Sequence, residues 1–104
     1  MNKTLSLIAR ELLKRKRPVT RERLCEISGL ADRDLRRAIE ELRKKGFPVL
    51  SSPAVAGYWL ARDERELVDY KTLIIQKCRS EIEIHSGMAL YRIDEIRKEI
   101  HENG

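Results

Sequence analysis

Cysteine, aromatic residues and long apolar runs are all scarce in this chain of 104 residues. The two cysteines, Cys25 and Cys78, lie far apart and outside any Cys-x-x-Cys or Cys/His ligand spacing. This excludes a disulfide scaffold and a zinc module and favours a reducing, cytoplasmic location. The apolar stretch after Lys3 stops at Arg10, so we expect no signal peptide. The longest uncharged run, residues 46–61, contains two prolines and two serines and is therefore not a membrane span.

Residue patterns that are typical of catalytic sites are also missing from the sequence. It contains no identifiable nucleophile–base pair, Gly-rich phosphate loop or pair of catalytic carboxylates. Glu81 and His85 share a helical face, but no further ligand stands at a suitable spacing, so we expect no metal and no other cofactor. We predict a protein that is not an enzyme and has no small-molecule effector. An enzyme subunit is the third alternative, favoured only by the acidic tail.

Charge is abundant and unevenly distributed. The chain has 22 Lys and Arg against 17 Asp and Glu, a net charge of +5. Residues 1–62 carry 15 basic and 7 acidic side chains, whereas residues 63–104 carry 7 basic and 10 acidic ones. A basic front half indicates a surface that faces an anionic partner. Because 41% of the residues are hydrophobic, the chain can still form one modest core.

Apolar spacing predicts three helices in the basic half. The first helix has apolar residues at i, i+3, i+4, i+7 and i+8, namely Leu5, Ile8, Ala9, Leu12 and Leu13. Asn2 or Thr4 is expected to cap it, and Pro18 ends it. Thr20 is expected to cap a short second helix, and Gly29 provides the positive φ of the turn that follows. A third helix, ending at residue 46, buries Leu35, Ala38, Ile39 and Leu42.

A change to an alternating pattern predicts a β-hairpin after these helices. Residues 47–50 and 58–61 form two short strands around a loop at 51–57. Tyr58 and Leu60 are expected to face the core, as is the small residue Cys25. Trp59 points the other way and either packs against the C-terminal helix or contacts DNA or a partner. The predicted fold class is mainly α with a small β-hairpin (α+β).

The apolar pattern of the C-terminal half predicts a long helix through which two copies of the chain form a dimer. From residue 64 to residue 102, apolar positions recur every three or four residues, and the phase continues past Ser86 and Gly87. We therefore favour one continuous helix over a break at that pair. A helix of this length extends beyond a 62-residue domain, so a second copy is the simplest partner for it. The expected dimer interface consists of Ile74, Cys78, Ile82, His85, Ala89, Ile93, Ile96 and Ile100.

The order of these elements leads to a resemblance. Residues 21–39 resemble a helix-turn-helix signature, with Leu24, Cys25, Gly29, Leu30 and Leu35 at its characteristic positions. Residues 35–49 and 57–61 resemble winged-helix domains of the biotin-repressor type and the small winged-helix proteins of phages and prophages. The resemblance implies a winged helix-turn-helix domain at 1–62, followed by a long C-terminal helix at 63–104. It also implies binding of double-stranded DNA.

The third helix carries the cations that such a domain would present to DNA. At about 100° per residue, Arg33, Arg37, Glu40 and Lys44 lie opposite the apolar face, and Arg36 lies on a flank. Ala31 stands where the family often has Ser or Thr, so Asp32 or Asp34 is expected to cap this helix. The loop at 51–57 lacks Lys and Arg and offers serine hydroxyls instead. The predicted DNA contacts are Arg33, Arg36, Arg37, Glu40, Lys44, Lys16, Arg17, Ser51 and Ser52.

The leading hypothesis is a homodimeric winged-helix protein that binds double-stranded DNA with some sequence preference. Its role would lie in transcription regulation or in phage-type replication, which the sequence does not separate. The alternative is a winged helix used for protein–protein interaction in a replication or transcription assembly. The uncharged loop and Trp59 favour that alternative.

Overall fold

In the computed structural model, which describes residues 1–103, five α-helices accompany one two-stranded antiparallel sheet. The elements are α1 (Lys3–Lys14), α2 (Arg21–Ser28), α3 (Asp32–Lys44), β1 (Val49–Ser52), β2 (Val55–Leu60), α4 (Glu64–Ser86) and α5 (Arg92–Asn103). The predicted class, mainly α with a small hairpin, is confirmed. The chain divides into two compact units, residues 1–70 and the residues from 71 onward. In the described part, every helix is too short or too polar to cross a membrane.

The first unit is held together by one apolar core. Side chains from α1, α2, α3 and β1 converge there, and Cys25, Phe47, Tyr58 and Leu60 pack against them half-buried. Cys25, Tyr58 and Leu60 therefore lie where the sequence pattern placed them. The core residues are Leu5, Ile8, Ala9, Leu12, Val19, Leu24, Leu35, Ala38, Ile39, Leu42 and Val49.

The buried face of α1 differs from the predicted stripe at its edges. Asn2 Oδ1 accepts a hydrogen bond from Leu5 N at 2.8 Å, which makes Asn2 the cap. Leu13, predicted to be buried, is 70% exposed, whereas Glu11 is only 5% exposed. These two residues lie on opposite edges of the apolar stripe, and α2 covers the edge that carries Glu11, through Arg23. The prediction for Leu13 was wrong because sequence spacing does not say which edge a neighbour covers.

Local backbone geometry sets the boundaries of α2 and α3. Thr20 Oγ1 accepts from Arg23 N, and Gly29 ends α2 at φ 73°, both as predicted. Ala31 is the N-cap of α3, and no side chain caps that helix. The expectation that Asp32 or Asp34 would do so is therefore wrong. Both carboxylates instead lie in the first turn of the helix, where the helix dipole favours negative charge.

β1 begins two residues later than predicted, and β2 is longer than predicted, which leaves a tight turn. Ser51 pairs with Tyr58 and Ser52 with Val55, so most of the predicted 51–57 loop belongs to the strands. The register shifts between Ser51 and Ser52, which places Ala56 and the glycine after it in a bulge. The sequence pattern missed this because alternation is interrupted wherever a bulge inserts a residue.

Gly57 is the point where the α1–α2 connection reaches the hairpin. Val19 N donates to Tyr58 O at 2.8 Å, and Tyr58 N donates to Val19 O at 2.9 Å. Gly57 has φ 115°, and a Cβ atom on it would overlap the Val19 carbonyl oxygen and lie 2.8 Å from the carbonyl carbon. Only glycine therefore allows this pair of backbone hydrogen bonds to form.

The C-terminal half forms two helices, so the prediction of one continuous helix was wrong. α4 ends at Ser86, residues 87–91 are not helical, and α5 begins at Arg92. Ser86 Oγ donates to Glu83 O, and Met88 N donates to His85 O at 3.1 Å, which tightens the last turn. Because glycine in a helix interior costs about 1 kcal/mol, the next residue, Gly87, favours an end here. The apolar phase in the sequence continues across a segment that is not helical.

Candidate nucleic-acid interface

The outer face of α3 presents three cations without partners. Arg33, Arg37 and Lys44 are exposed, and none of them forms an ion pair with any residue that the structure describes. Glu40, on the same face, is also exposed. The opposite face is fixed in the core, where Leu35, Ala38, Ile39 and Leu42 are at most 7% exposed. The helix is therefore held rigidly while its cations extend into solvent.

Arg36, predicted alongside these cations, is partly neutralised. Its Nη2 lies 3.4 Å from Asp32 Oδ2, and Arg21 Nε lies 3.5 Å from Asp32 Oδ1. One carboxylate thus bridges the start of α2 and the first turns of α3. Arg36 remains 63% exposed, so an external anion would compete with Asp32 for it.

Arg43 on α3 links several elements of the fold and was not among the residues singled out from the sequence. Its Nε donates to Val49 O at 2.7 Å and its Nη2 to Ser51 Oγ at 3.2 Å. The guanidinium also lies 5.8 Å from the centre of the Tyr70 ring, a cation–π distance. Arg43 therefore ties α3 to the base of the hairpin and to α4. Sequence offered no signal for it, because its main partner is a backbone carbonyl.

The two serines predicted to face phosphates are used inside the hairpin. Ser51 Oγ accepts from Arg43, and Ser52 Oγ accepts from Ala54 N at 3.2 Å across the turn. Both residues are half-buried. Each hydroxyl oxygen accepts from a local partner, and its O–H group remains a donor for an anionic ligand.

Lys16 and Arg17 lie in the connection between α1 and α2, and both are exposed. Lys16 lines a cleft between the α1–α2 connection and β2, whose walls include Trp59 and Leu60. Arg17 lines a separate, shallow depression with Thr20 and other residues of the connection. The structure therefore groups Lys16 with β2 of the hairpin.

The buried Glu11 carboxylate pairs with two half-exposed arginines and so joins α1 to α2. Glu11 Oε1 lies 3.1 Å from Arg15 Nε and 3.6 Å from Arg23 Nε. The hydrogen bond from Arg15 chiefly lowers the pKa of Glu11, and the charges of both arginines add to this against an opposing effect of burial. Glu11 was missed because an acid beside an apolar stripe is normally exposed. Its only signal was the i, i+4 spacing to Arg15.

Replacing Glu11 with glutamine is expected to destabilise the protein at pH 7 and to flatten the acid side of its stability profile. Because the folded-state pKa of Glu11 is lowered, its contribution is present above the unfolded pKa of about 4.3 and is lost as pH falls through the folded value. Urea unfolding followed by circular dichroism at pH 7 and pH 3 measures this. The control is Glu26→Gln, since Glu26 also pairs with Arg23 but is 73% exposed. An equal loss at both pH values for E11Q would contradict the prediction.

In the second unit, every described residue from 71 to 102 is exposed. Ile74, Ile82 and Ile93 are 44%, 68% and 45% exposed, and the other predicted interface residues are exposed as well. Ala89 lies between the helices, which corrects its predicted place on a helical stripe. His85 Nδ1 donates to Glu81 O at 2.7 Å. The other exposed apolar side chains of this unit are Leu73, Ile75, Ile84, Met88, Leu90, Tyr91, Ile96 and Ile100.

The cations on α3 can bind anionic oxygens or the acceptor edges of bases, since guanidinium and ammonium groups are donors only. Among the described residues, no group of three His, Cys, Asp or Glu side chains is placed to hold a metal ion. Comparisons of the chain with protein-family models, curated proteins and solved structures find no match.

Proposed function

We propose that the protein binds double-stranded DNA as a homodimer of winged-helix type, with α3 in the major groove. The observation that carries this is the outer face of α3, where Arg33, Arg37 and Lys44 extend into solvent without ion pairs. An α-helix fits the major groove, where arginine reads guanine through two hydrogen bonds and lysine holds phosphates. The two helices that precede α3 and the hairpin that follows it support this orientation.

The cations of α3 have two different roles in this proposal. Arg37, near the middle of the exposed face, reads base edges, while Lys44 at the last turn contacts a phosphate. Arg36 adds a phosphate contact when DNA displaces Asp32. The hairpin turn contributes backbone N–H groups and the O–H donors of its two serines, whose oxygens already accept hydrogen bonds. The process served would be transcription regulation or phage-type replication, inside the cytoplasm.

A second copy supports the proposal because DNA sites are read in pairs by dimers. The second unit has no buried residue in its described part, although isoleucine and leucine recur along both of its helices. Short helices are marginal in water without tertiary packing. Residues 71–104 contain 6 basic and 6 acidic side chains, so two identical copies do not repel each other through net charge. Pairing of this unit with itself would cover the exposed apolar surface.

The direct test is binding of a DNA duplex at several salt concentrations. A duplex is first selected from a random pool, and its affinity is then measured by fluorescence anisotropy. The logarithm of the affinity should fall linearly with the logarithm of salt concentration, because released counterions accompany phosphate contacts. A flat line, or no binding at low salt, would overturn the proposal.

Arg37→Ala should weaken binding to the selected duplex by about 5- to 150-fold, corresponding to about 1–3 kcal/mol. It should also relax preference at one base position. The comparison variant is Lys16→Ala, which removes one exposed cation from the α1–α2 connection. We expect Lys16→Ala to change affinity evenly across sequences. An Arg37→Ala protein with unchanged base preference would show that α3 does not read this position.

A further inference from the structure

A second surface of the first unit has the features of a protein-binding cleft. It encloses about 570 Å³ between the α1–α2 connection and β2, within the range of small-molecule pockets. Its apolar walls are the Trp59 ring, Pro18, Val55 and Leu60. Aliphatic walls around one aromatic ring match the side chain of a single apolar anchor residue.

The edge of the cleft is basic. Arg15, Lys16 and Arg62 line it, and none of its lining residues is acidic. Arg15 is oriented by Glu11 and Arg62 by Glu66, yet the two arginine side chains stay 54% and 78% exposed. Each guanidinium carries five N–H donors, so donors remain for a further carboxylate. Lys16 forms no ion pair with any described residue. Three cations around apolar walls are complementary to acidic groups around an apolar anchor.

The Trp59 ring is fixed in place within this cleft. Its Nε1 donates to Glu66 Oε1 at 3.3 Å, and the same carboxylate accepts from Arg62 N at 3.0 Å. The ring thus presents a rigid face, and a rigid aromatic residue is typical of binding hot spots. Trp59 therefore contacts α4, as one of the sequence alternatives predicted, and still contributes to an open cleft.

One feature distinguishes a peptide from a single-stranded nucleic acid as the occupant. Strand-binding grooves stack successive bases on several aromatic rings, whereas Trp59 is the one aromatic residue that lines this cleft in the described chain. A carboxylate-bearing peptide that inserts a side chain from above meets Lys16 and the arginines first.

We propose that this cleft binds an acidic protein segment that inserts one large apolar side chain against Trp59 while its carboxylates pair with Arg15, Lys16 and Arg62. The surface lies between the α1–α2 connection and β2, and it uses none of the α3 cations. The protein therefore has a partner-binding surface in addition to the α3 face. Trp59 supplies most of the buried contact area, and the cations supply orientation and selectivity for acidic partners.

The test uses the full-length chain and a phage-displayed library of random 12-residue peptides. Enriched peptides should be net negative and contain an aromatic or large aliphatic residue. Synthetic copies should change the fluorescence of Trp59, the only tryptophan in the chain. Lys16→Glu should weaken their binding at least about tenfold, because a like charge then faces the ligand. Lys14→Glu, an exposed neighbour outside the cleft, should change it less than about twofold.

Other outcomes would overturn the proposal. These are a failure to enrich acidic peptides, or enriched peptides whose binding is the same in Lys16→Glu and Lys14→Glu. A 15-nucleotide oligo(dT) could instead bind more tightly than the peptides, as measured by quenching of Trp59 fluorescence. If Lys16→Glu abolished that binding, the cleft would be assigned to single-stranded nucleic acid. A change in the solution mass of the protein alone in Lys16→Glu would assign it to a second copy. Because Arg37→Ala leaves the cleft intact, retained peptide binding by that variant separates this proposal from DNA binding.

Discussion

Replacing Ile82 with aspartate is expected to convert the proposed dimer to a monomer and to weaken binding to a duplex with two half-sites by about a hundredfold. Ile82 lies on α4 and is 68% exposed, so the substitution does not disturb the core of the first unit. In a dimer, each new carboxylate would be buried against apolar side chains without a cationic partner, which is strongly unfavourable. Loss of the dimer then removes the gain from binding two half-sites together.

The matched control is Ser80→Asp, which introduces the same charge two residues earlier on nearly the opposite side of α4. Analytical ultracentrifugation at micromolar concentration should show a dimer for the wild type and Ser80→Asp, and a monomer for Ile82→Asp. The same three proteins are then titrated onto the selected duplex. A wild-type protein that sediments as a monomer would refute dimerisation through this unit. Equal DNA affinity for Ile82→Asp and the wild type would show that DNA binding does not depend on pairing.

Gly57→Ala is expected to lower the free energy of unfolding by about 3 kcal/mol or more. The residue has φ 115°, which alanine adopts only with strain, and the added Cβ overlaps the backbone of Val19. To relieve the overlap, the α1–α2 connection must move away from β2 and lose its two backbone hydrogen bonds to Tyr58. A domain of this size has a total stability of about 5–15 kcal/mol, so the loss is a large part of it.

Gly46→Ala is the control for backbone strain alone. Gly46 also has positive φ, 100°, but a Cβ atom there meets nothing within 4 Å. Urea unfolding should therefore show a loss of about 1 kcal/mol for this variant, clearly smaller than that of Gly57→Ala. Equal losses for the two variants would mean that the approach of Val19 to the hairpin contributes little to stability.

Prediction from sequence worked best where one helix or one turn decides the outcome. The caps Asn2 and Thr20, the positive φ of Gly29 and the buried residues of α3 all follow from local pattern. The orientation of Arg33 and Arg37 also follows, because a fixed helical period places them opposite Leu35. These features depend on neighbours within a few residues, which the sequence lists directly.

Prediction failed where the outcome depends on what packs nearby. Leu13 is exposed and Glu11 buried because α2 covers one edge of α1, and spacing does not specify that edge. The shortest hydrogen bond of Arg43 is to a backbone carbonyl of β1, and no residue type in the sequence indicates such a partner. The continuous apolar periodicity across Gly87 also led to a wrong prediction. Periodicity does not report whether a turn is locally more favourable than a helix.

The sequence by itself determined the fold class, the three helices and hairpin of the basic half, and the row of cations opposite the buried face of α3. Periodicity, caps and charge encode these because each acts over one turn of backbone. Only the tertiary structure decided that Asp32 on α3 also pairs with Arg21 on α2, that Arg43 fastens the hairpin, and that Lys16 joins Trp59 in a basic cleft. Those arrangements join residues of different elements of the fold. Their geometry depends on how helices and hairpin pack, which no local pattern contains.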